Sequence, residues 1–201
     1  MKKTVGFFCC VITIVMTVCS LKRSFVDTGS TNSSESITSD TYSKASEHNT
    51  KGSEKKEEIS WNKPSEQKQY PKLSSTDILL VDTQKQRVYV KRNEKILYTM
   101  YCSTGSEKTP TPKGSFLIEP ERGDHFFNNE TGEGANYYVS FSGHGIYLFH
   151  TIPVDNNGQY KKSEGEKLGK SANSHGCVRL SVPDAKWLYR NAIVGMRVEI
   201  K

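Results

Sequence analysis

Ser174-His175-Gly176-Cys177-Val178-Arg179-Leu180 is the stretch from which the rest of the chain is read. A cysteine between a glycine and a short apolar run is a nucleophile, a metal ligand or a small buried hydrophobe. The chemistry favours the first. A free thiol titrates near about 8.5, so a working nucleophile at neutral pH needs a base beside it. His150 and His175 are the candidates. Gly176 lets the backbone bend sharply and turn N–H groups toward a developing oxyanion, the donor arrangement acyl transfer requires.

Working outward, Tyr137–Phe141 and Gly145–Thr151 read as strands upstream of the cysteine. Alternation sets Ile146, Leu148 and His150 on one face, and Tyr147, Phe149 and Thr151 on the other. Desolvation at the end of that apolar face would hold His150 neutral, as a general base requires. Pro153 to Lys170 is a hydrophilic insertion of a kind that surface loops tolerate. Downstream, Ser181 as N-cap, Pro183 in the first turn and Asp184 three residues after the cap predict a helix. Its apolar stripe is Val182, Ala185, Leu188, Tyr189 and Ala192. Gly195 ends that region, and Met196–Ile200 reads as a last strand.

Earlier still, 78–81, 87–91 and 95–103 read as strands joined by short polar turns. Ile96, Tyr98, Met100 and Cys102 share a face in the third, which makes Cys102 a core residue rather than a redox partner for Cys177. Thr109 to Gly114, with two prolines and a glycine, is a rigid loop feeding a strand at 115–118. Arg122 to Asn136 is polar and glycine-containing, the composition of a surface loop or lid.

Three ordered blocks together carry a resemblance that none carries alone: Thr109-Pro110-Thr111-Pro112-Lys113-Gly114-Ser115-Phe116, Phe149-His150-Thr151, and Ser174 to Leu180. From about Thr76 to Lys201 the chain resembles the L,D-transpeptidase catalytic domain, the YkuD family. The resemblance implies a mostly β, sandwich-like fold with one helix after the cysteine. It implies Cys177 as nucleophile and His150 as base, with Gly176, His175, Ser174 and Thr151 supporting the oxyanion and the loop. It makes Arg179, His144, Pro112 and Gly114 candidates for binding substrate, although a salt bridge bracing the loop remains an equal reading of Arg179. The implied substrates are peptidoglycan stem peptides, with carbapenems as inhibitors. The implied reaction releases D-alanine from a tetrapeptide stem and forms a 3→3 cross-link; water as acceptor would make it an L,D-carboxypeptidase.

Rival readings are a sortase-like transpeptidase, an NlpC/P60-like peptidase, a zinc site and a non-catalytic wall-binding module. The first lacks the Thr-Leu-x-Thr-Cys strand, and the second requires cysteine before histidine. A zinc site built from His144, His150, His175 and Cys177 lacks Cys-x-x-Cys or His-Glu-x-x-His framing. No metal and no cofactor is expected.

The 201 residues divide by composition. Lys2 and Lys3 precede an apolar run from Val5 to Leu21, so residues 1–23 read as a signal-anchor or signal peptide, with an uncleaved anchor favoured. Residues 24–75 are rich in Ser, Thr, Lys and Glu and read as a disordered tether, its aromatic residues Trp61 and Tyr70 included. Residues 76–201 form the catalytic domain. Three of the five cysteines lie in the apolar run, which rules out a disulfide framework. A net charge of +6 suits an anionic wall or membrane surface, and no basic-aromatic patch points to nucleic acid. The expected location is the cell wall or the outer face of the plasma membrane.

Overall fold

The computed structural model describes residues 59–201. The signal or anchor and most of the tether lie outside the described residues. Eleven elements follow in order: β1 Ile78–Asp82, β2 Arg87–Arg92, β3 Lys95–Ser103, β4 Gly114–Leu117, β5 Arg122–Asn128, β6 Glu133–Ser142, β7 Tyr147–Thr151, α1 Lys162–Gly165, β8 Val178–Leu180, α2 Val182–Asn191 and β9 Arg197–Ile200. The strands form one curled nine-stranded mixed sheet, ordered β4-β9-β1-β2-β3-β8-β7-β6-β5. The mostly β expectation holds, with a difference: a second short helix, α1, lies inside the insertion before the cysteine.

The core follows from alternation. Leu79 and Val81 of β1, Val88 and Val90 of β2, and Tyr98, Met100 and Cys102 of β3 are fully buried. They join Val198 and Ile200 of β9 and Ala185 and Leu188 of α2 in one cluster. Cys102 is a core residue as expected, and burial pushes its thiol well above the ordinary range. Ile96 departs from its expected face and is 47% exposed. The ladder between β2 and β3 pairs Val90 with Tyr98 but Lys91 with Ile96, so Leu97 is an extra residue in a bulge that resets the alternation.

At α2 the capping signals operate as read. Ser181 has extended backbone, its hydroxyl accepts from the Asp184 N–H at 3.3 Å, and the proline sits in the first turn. Ala185, Leu188 and Ala192 of the stripe are buried, while Val182 and Tyr189 are half-buried.

Two expectations are corrected. Residues 122–136 are not a loop: β5 and most of β6 form an antiparallel hairpin, from Arg122 opposite Val139 to Asn128 opposite Glu133. Asn128 makes its turn possible, its side-chain carbonyl accepting from the N–H groups of Glu130 and Thr131, while Gly132 takes φ +63°. The second correction concerns the tether. Residues 59–75 have no helix or strand, yet they lie against the domain. Tyr70 stacks on Trp187 with centroids 4.9 Å apart, and Trp61 tilts against Tyr160 at 5.4 Å. Ser65 Oγ donates to Asp184 Oδ2 at 2.5 Å and accepts from the Tyr101 N–H at 2.8 Å. Tyr70 donates to Asp184 Oδ1 at 2.6 Å. Isolated aromatics and a serine thus fasten a polar strap across the start of α2. Among the described residues no helix is long and apolar enough to cross a membrane.

Candidate active site

The site is built where β7 and β8 run side by side. They pair in parallel, His150 opposite Arg179 and Phe149 opposite Val178, so Cys177 stands at the entry to β8 beside the middle of β7. A cavity of about 470 Å³ opens there. Cys177 and His150 both line it, together with His144, Ser174, His175 and Arg179. Six of the ten residues singled out from the sequence therefore share one cavity wall.

Gly176 is responsible for the bend before the thiol. Its φ of +114° is left-handed territory, and a Cβ there would come 2.9 Å from the Tyr147 ring. Ser174 ties the loop from inside: its hydroxyl donates to the Cys177 carbonyl at 2.5 Å and accepts from the Gly176 N–H at 3.1 Å. That bond occupies the Gly176 N–H, which corrects its expected part in an oxyanion hole. The rigid loop expected at 109–114 reaches the site through Thr111, whose hydroxyl donates to the Gly176 carbonyl at 2.8 Å and accepts from the Gly105 N–H at 2.8 Å. Pro112 and Gly114, the residues chosen for substrate contact, do not line the cavity. Gly114 instead opens edge strand β4 opposite Ile200.

His150 is 6% exposed, and its Nδ1 lies 2.6 Å from the Thr151 carbonyl. A carbonyl only accepts, so Nδ1 carries the proton and Nε2 presents a lone pair. Thr151 thus serves the site through its carbonyl. Its hydroxyl donates to the Ile152 carbonyl and accepts from the Asn136 N–H, fastening β6 to β7. The Phe126 ring of the hairpin meets His150 edge-on at 5.5 Å. Burial first, and the Arg179 charge second, push the imidazole down to about 4. Burial also pushes the Cys177 thiol up, against a backbone hydrogen bond from Leu148 and the Arg179 charge. At neutral pH the resting pair is thiol and neutral imidazole, not thiolate and imidazolium. The half-buried thiol points toward the Ile146 carbonyl at 3.7 Å.

Arg179 is 4% exposed and committed to protein partners: Nη1 to Glu164 Oε2 at 2.5 Å and Nη2 to Glu133 Oε2 at 3.1 Å. Of the two readings of Arg179, the geometry supports the bracing salt bridge and not a free substrate ligand. His144 is exposed at the rim, with Nδ1 2.9 Å from Glu121 Oε1. Glu121 raises the His144 pKa and is itself lowered in return. Gly143, His144 and Gly145 all take positive φ, at 73°, 51° and 103°. The strand expected from Gly145 therefore begins at Tyr147, and Ile146 projects, 68% exposed, into the cavity mouth. His175 is exposed in the cavity wall. Glu119, Glu121 and His144 bring potential ligand atoms within 4.8 Å of one another, a set distinct from the cysteine and histidines considered for zinc.

Glu133, Glu164, Thr111, Phe126 and Ile146 were not singled out in the sequence. The two carboxylates lie in polar segments without period, and only their meeting at Arg179 distinguishes them.

The fold and this cavity belong to a known class. The model of the L,D-transpeptidase catalytic domain family YkuD matches residues 76–200, and the chain belongs to that family. It is 44% identical over 140 residues to "Putative L,D-transpeptidase YciB" of Bacillus subtilis (strain 168), covering 68% of this chain and 71% of that protein. It is 30% identical over 122 residues to L,D-transpeptidase 1 of Mycobacterium tuberculosis, covering 55% of this chain and 45% of that one. Among solved structures, LD transpeptidase LdtMt1 in complex with imipenem superposes with a TM-score of 0.52 at 23% identity, over 63% of this chain and 59% of that one. An L,D-transpeptidase from Mycobacterium smegmatis gives the same TM-score of 0.52 at 22% identity, over 63% and 58% of the two chains. These two likenesses define the fold.

Proposed function

We propose that this chain is a cysteine acyl-transferase that forms 3→3 cross-links between peptidoglycan stems outside the plasma membrane. The observation that carries the reading is the sharing of one cavity by Cys177 and His150, the latter with its Nδ1 proton directed at the Thr151 carbonyl. The Cys177 thiol gives its proton to His150 Nε2 as sulfur attacks the carbonyl between the third-position diamino acid and the terminal D-alanine. The tetrahedral oxyanion is met by the Cys177 N–H, since the Gly176 N–H is engaged by Ser174. The imidazolium returns its proton to the departing D-alanine amine, leaving an acyl-thioester. A neighbouring stem's amine then attacks the thioester, and its proton leaves through His150 as the sulfur is released. The depressed imidazole is unprotonated at rest, so Nε2 is free to accept, and once charged it gives its proton up readily to the leaving amine.

The test is full-length protein incubated with purified tetrapeptide muropeptides, with products read by mass. Cross-linked dimer plus free D-alanine is the expected outcome, abolished by Cys177→Ala. Tripeptide without dimer would convert the reading to carboxypeptidase, and wall binding without turnover would convert it to a binding module. Imipenem, the compound in the LdtMt1 complex, is expected to add its mass to Cys177.

A further inference from the structure

The hydrophilic insertion before the cysteine is not a passive loop. It returns to the Arg179 side chain through Glu164 at α1, while Glu133 arrives at the cavity wall from the first residue of β6. Both close on Arg179, and each is held by a lysine at its other side: Lys161 on Glu133 at 3.0 Å and Lys167 on Glu164 at 2.7 Å. The cysteine loop joins through the Asn173 carbonyl, which accepts from Arg179 Nη1 at 3.3 Å. The Asn173 amide also donates to Glu164 Oε2. Three segments distant in sequence thus converge on one guanidinium. That guanidinium belongs to the residue paired across the ladder with His150.

We propose that Glu133 and Glu164 are positioning residues of the active site, clamping Arg179 at the strand position beside His150 so that its charge acts on the base. This deepens the preceding reading and rests on His150 being that base. One carboxylate oxygen on each side, Glu164 Oε2 at Nη1 and Glu133 Oε2 at Nη2, fixes a planar guanidinium in direction as well as place, which a single exposed ion pair does not. The network carries three positive groups, Arg179, Lys161 and Lys167, against two carboxylates. Its surplus positive charge opposes a second cation on the imidazole. Titratable groups sharing the cavity with His150 are Glu121, Glu133, Tyr138, His144, His175, Cys177 and Arg179. Of these, Arg179 acts on the imidazole directly. Neutralising either carboxylate makes the surroundings more positive, while removing Arg179 makes them less so. Glutamine still accepts from the guanidinium and removes only a negative charge, so it pushes His150 down. Alanine at both Glu133 and Glu164 releases Arg179 and pushes His150 up, as Arg179→Gln does, an opposition that separates clamping from plain charge removal.

The experiment follows the His150 imidazole of the full chain by nitrogen-15 NMR against pH, in parent, Arg179→Gln, Arg179→Lys, Glu133→Gln, Glu164→Gln and Glu133→Ala/Glu164→Ala proteins. The parent midpoint is expected at about 4. Arg179→Gln raises it by about one unit or more, Arg179→Lys keeps it low, either glutamine variant lowers it, and the double alanine variant raises it. The acid limb of iodoacetamide reaction at Cys177 moves with it. A folded Arg179→Gln protein with an unmoved midpoint overturns the proposal, as does a folded double alanine variant whose midpoint stays or falls. If Arg179→Gln does not fold, the lysine and glutamate variants decide by the same criteria. If no protein in the series turns over muropeptides while the midpoints move as stated, the clamp stands and the acyl-transfer assignment falls.

Discussion

Asp184 and Arg179 are five residues apart, both charged by type and both buried, and the chain treats them differently. Asp184, at the start of α2, is met by uncharged donors from the strap: the Ser65 and Tyr70 hydroxyls and the Ser65 N–H. Burial raises its pKa, against those bonds. Arg179, on the cavity side, is met by two carboxylates in an extended ion network. Hydrogen bonds from neutral groups make an anchor that can form around a carboxyl with little net charge. A paired guanidinium keeps its charge where an imidazole can sense it. One buried polar site fastens a segment, and the other holds a charge beside the proposed base.

That contrast can be broken by substitution, beginning where the effect is largest. Cys177→Ala is expected to reduce muropeptide turnover by about 10³-fold or more, since a nucleophile has no substitute. Its melting temperature should stay near the parent's, because the thiol is half-buried and its contact with the Ile146 carbonyl is long. Arg179→Met removes one partner from each of two partly buried carboxylates that keep Lys161 and Lys167, and a loss of about 1.5–3 kcal/mol in urea unfolding is expected. The pH dependence of stability sharpens the same side. The folded His150 value of about 4 lies below its unfolded 6.5, so between them the unfolded chain binds more protons. Its contribution is complete above 6.5 and is lost as pH falls toward 4, amounting to about 3 kcal/mol at 1.36 kcal/mol per unit. A His150→Gln protein should show a flatter acid limb in urea melts. On the strap side, Ser65→Ala removes a hydroxyl that donates to Asp184 and accepts from the Tyr101 N–H; about 1–2 kcal/mol is expected. Limited proteolysis should cut residues 59–75 sooner in that variant, with turnover unchanged. A Ser65→Ala protein that loses turnover would erase the proposed division between anchor and reaction centre.

What the sequence made legible was whatever announces itself locally. The glycine-cysteine bend, the Ser181 cap and the alternating strands β1 to β3 each carry their cause within a few residues. The β5–β6 hairpin does not: Arg122 to Asn136 is polar because β5 is an edge strand, so it has no strict apolar alternation to display. The bulge at Leu97 hides similarly, since only the partner strand reveals the extra residue. The strap is not legible locally because its few side chains find partners far along the chain, with Ser65 separated from Asp184 by 119 positions. Pro112 and Gly114 were near misses: the loop does serve the site, but through Thr111 and the Gly176 carbonyl. Arg179 had two readings in sequence, and Glu133 and Glu164 distinguish between them.

The two thiols of the described region differ completely in access, Cys102 sealed among β1–β3 and Cys177 open to the cavity. Within that region, a colorimetric sulfhydryl reagent should therefore register one group on the native domain and a second only as the sheet comes apart. The domain carries an intrinsic clock for its own unfolding, readable without any introduced label.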